Sequence, residues 1–272
     1  HLVVPKFWEG ENAYLVQNTD KRVIFINPYE EGKALIGTTD IPYEGDPGDV
    51  SIDDSEIEYL LAAVNRYFTK SLQHSDILQA FSGVRPLYDD SSDNPSAVTR
   101  DYLFDLDAPN GGAPLLSVFG GKITTFRKLS EHALDKLITY FPGSGSAWTA
   151  KATLPGGDMP DADFDQFLQR LKQDFSTVDA QLLNHYARLY GTRSCELLDG
   201  VSHMDDLGTQ FGPQLFEREV RFLIEEEWAE SAEDILTRRT KHIIHMSEME
   251  IADFERWFDC HYGPSPGIKQ AS

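Results

Sequence analysis

A lysine directly behind two glycines, at the end of an apolar run, is a place to hold negative charge. The stretch is Ser117-Val118-Phe119-Gly120-Gly121-Lys122-Ile123-Thr124-Thr125-Phe126-Arg127. Leu115 to Phe119 reads as a buried strand, Gly120-Gly121 as a tight turn, and the residues after Lys122 as the start of an amphipathic helix. Glycine lets backbone approach a ligand closely. The unpaired N–H groups of a first helical turn, at the positive end of the helix dipole, stabilise an anion or a ring that becomes anionic during reaction. Lys122 adds a full positive charge. Arg85, in Gly83-Val84-Arg85-Pro86-Leu87, offers a planar fork suited to two phosphate or carboxylate oxygens. Composition equally allows a surface Arg85 paired with Asp89 or Asp90. Arg100, between Thr99 and Asp101, is a third cation near a strand end, and one substrate phosphate can bridge two of the three. His1 is a candidate general base near neutral pH, or simply a chain-terminal histidine. His242 and His245 stand three residues apart. Two imidazoles can take a metal, but no third ligand stands out, so they read as helix-surface histidines and no metal site is expected.

The cations are conspicuous because the chain is acidic. It has 272 residues and a formal net charge of −21, which excludes the basic surface that nonspecific nucleic-acid binding needs. Hydrophobic residues make up 40% of the chain and aromatics 11%, enough for a real core. The two cysteines, Cys195 and Cys260, lack metal-type spacing and suggest a reducing compartment. No apolar run is long enough to span a bilayer, and no signal peptide is visible. The opening, His1-Leu2-Val3-Val4-Pro5, reads as a strand in a piece of something longer.

The elements that position these residues follow from periodicity. Tyr14-Leu15-Val16 and Val23-Ile24-Phe25-Ile26 flank a turn at Asn18-Thr19-Asp20. Leu35-Ile36-Gly37 is a strand ending at Thr38-Thr39-Asp40. A helix carries Ile57, Leu60, Leu61, Val64 and Phe68, with Ser51 and Asp54 as its cap pair. Ile77–Phe81 and Arg100–Leu106 read as strands. The helix behind Lys122 carries Phe126, Leu129, Ala133, Leu137 and Tyr140. Beyond Pro155-Gly156-Gly157 the pattern is helical throughout, with caps at Ser231/Asp234 and Ser247/Glu250. The expected fold class is α+β: a mostly antiparallel sheet with inserted helices over residues 1–141, a linker over 142–157, and an all-helical domain over 158–272.

Four motifs in combination, Ile36-Gly37-Thr38-Thr39-Asp40, Ser82-Gly83-Val84-Arg85-Pro86-Leu87, Thr99-Arg100-Asp101-Tyr102 and Leu115–Thr125, closely resemble the FAD-dependent, aerobic glycerol-3-phosphate dehydrogenases of bacteria. Leu154-Pro155-Gly156-Gly157, His185-Tyr186-Ala187-Arg188 and Arg238-Arg239-Thr240-Lys241 fit the helical C-terminal part of that family, so the resemblance covers essentially the whole chain. It implies that residues 1–141 form the substrate cap and a flavin-contacting strand-turn-helix. Arg85 would be the principal phosphate ligand with Arg100 near it, and Lys122 would lie between substrate and flavin. The Gly120, Gly121, Lys122, Ile123, Thr124 and Thr125 segment would hold the pyrimidine end of the isoalloxazine. His1 would stand near the reacting C2 hydroxyl. The implied reaction oxidises glycerol 3-phosphate to dihydroxyacetone phosphate, with electrons passed from FAD to quinone by a peripheral enzyme on the cytoplasmic face of the inner membrane; a homodimer is allowed. Two further readings stay open, an oxygen-using glycerol-3-phosphate oxidase and a noncatalytic folding or interaction module. The glycine-rich fingerprint for the FAD pyrophosphate is not found in this sequence, so FAD is expected to be absent from, or weakly held by, this piece alone.

Overall fold

The computed structural model describes residues 1–85, 101–109 and 112–263. The chain divides into two compact units, His1–Lys151 and Ala152–Ser272.

The first unit is built on β1 (Leu2–Pro5), β2 (Tyr14–Gln17), β3 (Val23–Tyr29), β4 (Lys33–Gly37) and β5 (Gln79–Ala80), in one antiparallel sheet of order β2-β3-β4-β1-β5. Alternation sends Leu2, Val4, Ile24, Ile26, Ala34 and Ile36 to one buried face. Helix α1 (Asp54–Asn65) covers that face with Ile57, Leu60, Leu61 and Val64. Its cap is Asp53 rather than the expected Ser51/Asp54 pair. Asp53 Oδ1 accepts from Glu56 N at 2.8 Å, and Glu56 Oε2 accepts from Asp53 N at 3.2 Å. A carboxylate at this position meets the helix dipole with full charge, which a serine hydroxyl cannot. The strand expected over Ile77–Phe81 registers with β1 at Gln79–Ala80, and Leu78 N donates to Val3 O and Phe81 N to His1 O on either side.

The same unit holds a hairpin of β6 (Tyr102–Asp107) and β7 (Leu115–Gly120), followed by a 3₁₀ turn at Ile123–Thr125 and helix α2 (Phe126–Leu137). Among the described residues from Asp101 to Lys151 none is buried. Leu115, expected in a buried strand, is 63% exposed.

The second unit is helical: α3 (Phe164–Asp174), α4 (Ala180–Tyr190), α5 (Ser194–Leu197), α6 (Glu217–Glu225), a π-helix at Asp234–Arg239 and α7 (Glu248–Tyr262). Leu171, Leu183, Val220, Leu223, Ile235, Phe254 and Phe258 form its core. Ser247 and Glu250 make the expected capping box, and Ser231 and Asp234 bond reciprocally ahead of the π-helix. Two glycines cross where α4 ends. Gly191 has φ +56° and ψ −134°, and a Cβ there would lie 1.9 Å from Gly156 O. A Cβ on Gly156, at φ +82°, would lie 2.4 Å from Tyr190 O. Thr192 N donates to Gly156 O at 3.0 Å across this contact.

Candidate active site

The pairing register sets the first part of the site. Leu2 faces Ile36 on one side and Ala80 on the other, so the residues just beyond these pairs meet at one end of the sheet. His1 is therefore ordered. Its amino group donates to Phe81 O at 2.9 Å, and its imidazole stacks on Phe81 with centroids 5.1 Å apart and planes 5° from parallel. The ring lies flat against Gly37, where a Cβ would fall 2.3 Å from His1 Cδ2. Only glycine leaves room for that imidazole.

The turn leaving β4 supplies the next groups. Thr39 Oγ1 donates to Glu56 Oε1 at 2.5 Å, which ties the turn to the cap of α1. Asp40 Oδ2 lies 3.1 Å from Arg85 Nη1, with the arginine side chain 45% exposed. The structure thus brings His1, the Gly37–Asp40 turn and Arg85 together, and pairs Arg85 with Asp40. Asp89 and Asp90, like Arg100, lie outside the described residues. Asp40 and Glu56 were not singled out in the sequence, although the Thr-Asp that ends a strand was visible.

Gly120, Gly121, Lys122, Ile123, Thr124 and Thr125 stand on the other hairpin. No hydrogen bond or ion pair among the described residues ties them to His1 or Arg85. Gly120 and Gly121 have φ +68° and +96°, and a Cβ on Gly121 would lie 3.0 Å from Leu129 Cδ1 and 3.4 Å from Tyr102 Cβ. The turn therefore needs glycine for its backbone angles and for packing against α2. The α-helix starts later than expected. Lys122 O accepts from Thr125 N at 2.9 Å, and the first N–H groups after the glycines belong to a 3₁₀ turn. Lys122, at the head of that turn, is exposed and has no carboxylate partner among the described residues. An exposed cation beside a glycine turn fits the anionic edge of a reduced flavin ring.

A separate polar constellation lies inside the second unit. His242, expected on a helix surface, is 2% exposed and faces Glu219 rather than acting with His245. Glu219 is fully buried. Burial alone would raise its pKa, but His242 and His185 outweigh that and hold the carboxyl at about 2. Spacing along the chain does not bring these residues together, since they come from three distant segments.

Comparison with known proteins places these residues in context. Residues 1–127 match the family described as FAD dependent oxidoreductase, and residues 147–252 match the C-terminal domain of alpha-glycerophosphate oxidase. The chain is 57% identical over 259 residues to D-erythritol 1-phosphate dehydrogenase of Brucella abortus, covering 95% of this chain and 51% of the relative. It is 46% identical over 257 residues to aerobic glycerol-3-phosphate dehydrogenase of Escherichia coli, covering 94% of this chain and 51% of that protein. The chain therefore spans about half the length of these relatives. The crystal structure of a Bacillus halodurans glycerol-3-phosphate dehydrogenase complexed with FAD superposes with a TM-score of 0.69 at 23% identity. That superposition covers 100% of this chain and 57% of the other, and it shows a shared fold.

Proposed function

Because the chain belongs to the family of FAD-dependent glycerol-3-phosphate dehydrogenases, we propose that the complete protein oxidises a secondary hydroxyl of a small polyol phosphate, glycerol 3-phosphate becoming dihydroxyacetone phosphate. The observation that carries this reading is that one turn, Gly37–Asp40, packs against His1 at Gly37 and pairs with Arg85 at Asp40, so that a candidate base and a phosphate-type cation attach to the same turn. Arg85 would clamp the phosphate, helped by Arg100, and so fix the carbinol carbon in place. The packing of His1 between Gly37 and Phe81 would hold its imidazole toward the hydroxyl, where it takes the proton. When bound, FAD supplies the hydride acceptor. The backbone of Gly120–Thr125 would hold its pyrimidine end, and Lys122 would stabilise the negative charge that develops there. The cofactor's remaining contacts would come from the part of the protein outside this chain.

The electrons would pass to quinone at a membrane surface to which the enzyme binds peripherally. No helix among the described residues is long and apolar enough to cross a membrane. Oxygen uptake by the complete protein without added quinone would instead mark it as an oxidase.

A second reading of the substrate has an observation of its own. Identity to the D-erythritol 1-phosphate dehydrogenase is 57%, against 46% to the glycerol-3-phosphate enzyme. Both substrates present a phosphate and a carbinol, so one site chemistry serves either. Measuring kcat/KM for the two compounds in parallel tests both readings. A higher value for glycerol 3-phosphate supports the first, and a higher value for D-erythritol 1-phosphate supports the second. Turnover of neither removes the polyol-phosphate assignment.

Lys122→Ala in the complete protein is expected to slow flavin reduction by about 10- to 1000-fold while leaving KM within a few-fold, as for loss of one group that stabilises developing charge. Stopped-flow bleaching of the flavin under anaerobic conditions measures it. An unchanged single-turnover rate would show that Lys122 has no part in the transfer.

A further inference from the structure

The second unit holds a ligand set that polyol-phosphate oxidation does not use. His185 Nε2 lies 3.2 Å from Glu219 Oε1, and His242 Nε2 lies 3.2 Å from Glu219 Oε2. One ligand atom from each of the three residues lies within 4.8 Å of the others. The side chains are 12%, 0% and 3% exposed for His185, Glu219 and His242, so the cluster is closed to bulk water. Tyr190 donates to Glu219 Oε1 at 2.6 Å and holds the carboxylate in place. Tyr186 is fully buried next to His185, and its hydroxyl has no hydrogen-bond partner among the described residues.

We propose that His185, Glu219 and His242 bind a single divalent transition-metal ion, with zinc the best fit. Two imidazoles and one carboxylate are a zinc donor set, and they disfavour magnesium and calcium, which take oxygen ligands. Bonds of about 2.0–2.1 Å at tetrahedral angles separate neighbouring ligand atoms by roughly 3.3 Å. The two observed N···O separations of 3.2 Å are of that size and run one to each oxygen of Glu219, so the carboxylate would offer both oxygens to the ion. They exceed the roughly 2.7–2.9 Å usual for a hydrogen bond between charged groups. Tyr190 is then the outer partner that orients the ligating carboxylate, a role such sites routinely need.

Tyr190 also lines a cleft of about 640 Å³. The arginines of that cleft are already paired: Arg193 with Glu226 at 3.0 Å and with Glu227, and Arg238 with Glu233 at 3.0 Å and with Asp234. With Arg239 also facing Glu227, the cleft is not an anion site. The ion would join α4, α6 and the His242 segment, three stretches far apart in sequence. Its binding energy would then appear as stability of the helical unit. A shared proton is the competing occupant of the same space.

The test is metal analysis of protein purified without a histidine tag, combined with thermal unfolding. The expected result is one zinc per chain, a lower unfolding midpoint after dipicolinate treatment, and a midpoint that rises again with free zinc. Cobalt replacement should give the visible absorption of a tetrahedral nitrogen–oxygen site. His242→Gln should abolish both the metal and the zinc-dependent shift. If that variant does not fold, the metal content, the chelator response and the cobalt spectrum of the unaltered protein decide the matter. Metal at background level with identical midpoints in zinc and in chelator would overturn the proposal and leave a proton between Glu219 and its histidines. A cobalt spectrum with a thiolate charge-transfer band would also overturn it, by assigning the ion to Cys195 or Cys260, both of which are exposed.

Discussion

Arg85→Ala in the complete protein is expected to raise KM for the polyol phosphate by about 10- to 100-fold, the loss of one hydrogen-bonded contact between charged groups at roughly 1.5–3 kcal/mol. The guanidinium is already held in place, with Nη1 3.1 Å from Asp40 Oδ2, so the phosphate meets a fork whose side-chain freedom is partly spent. Its 45% exposure leaves the other edge open to a ligand. The effect should fall mainly on KM, because the phosphate is remote from the carbon that reacts and the contact is made before and during reaction alike. Asp40→Asn is the informative companion. It keeps a hydrogen-bonding partner for Arg85 but removes a negative charge next to the phosphate, so KM should change far less or even fall. Steady-state kinetics across substrate concentration measure both. An unchanged KM in Arg85→Ala would return this residue to an ordinary surface ion pair.

The largest loss of stability is expected from Gly191→Ala. The added Cβ would lie 1.9 Å from Gly156 O, inside any van der Waals contact, and the backbone angles of Gly191 belong to a region that side chains essentially do not enter. Relief requires parting the two glycine segments, which breaks the Thr192 N to Gly156 O bond and loosens the end of α4. Strain plus overpacking predicts a loss of about 3 kcal/mol or more. Urea unfolding followed by far-UV circular dichroism, which is dominated by helix, measures it. A shift below about 1 kcal/mol would show that the chain repacks here with ease.

What could be read from the sequence depended on how local its cause was. The hairpin around Asn18-Thr19-Asp20, the buried stripe of α1 and the Ser247/Glu250 capping box each arise within a few residues, and each appears in the structure. The start of α1 at Asp53 was missed because Ser51 and Asp53 satisfy nearly the same local rule, and the better acceptor beside the dipole prevails. For the site, residue type alone marks Arg85, but its partner is not one of its neighbours in sequence. Asp40 reaches it only through the order of β4, β1 and β5. His242 was read with His245 for the same reason, whereas its contacts come from α4 and α6. No periodicity records pairings of that range.

The hairpin of β6 and β7 with helix α2 has one more consequence. Leu103, Val118, Phe119, Phe126 and Leu134 are each more than 40% exposed, and no described side chain from Asp101 to Lys151 lies in a core. A segment like this takes its order from whatever covers it. Since this same segment carries Gly120, Gly121 and Lys122, coenzyme retention and resistance to proteases should rise and fall together. Limited trypsin digestion near Arg127 and Lys128 would then report on flavin loading as directly as the yellow colour does.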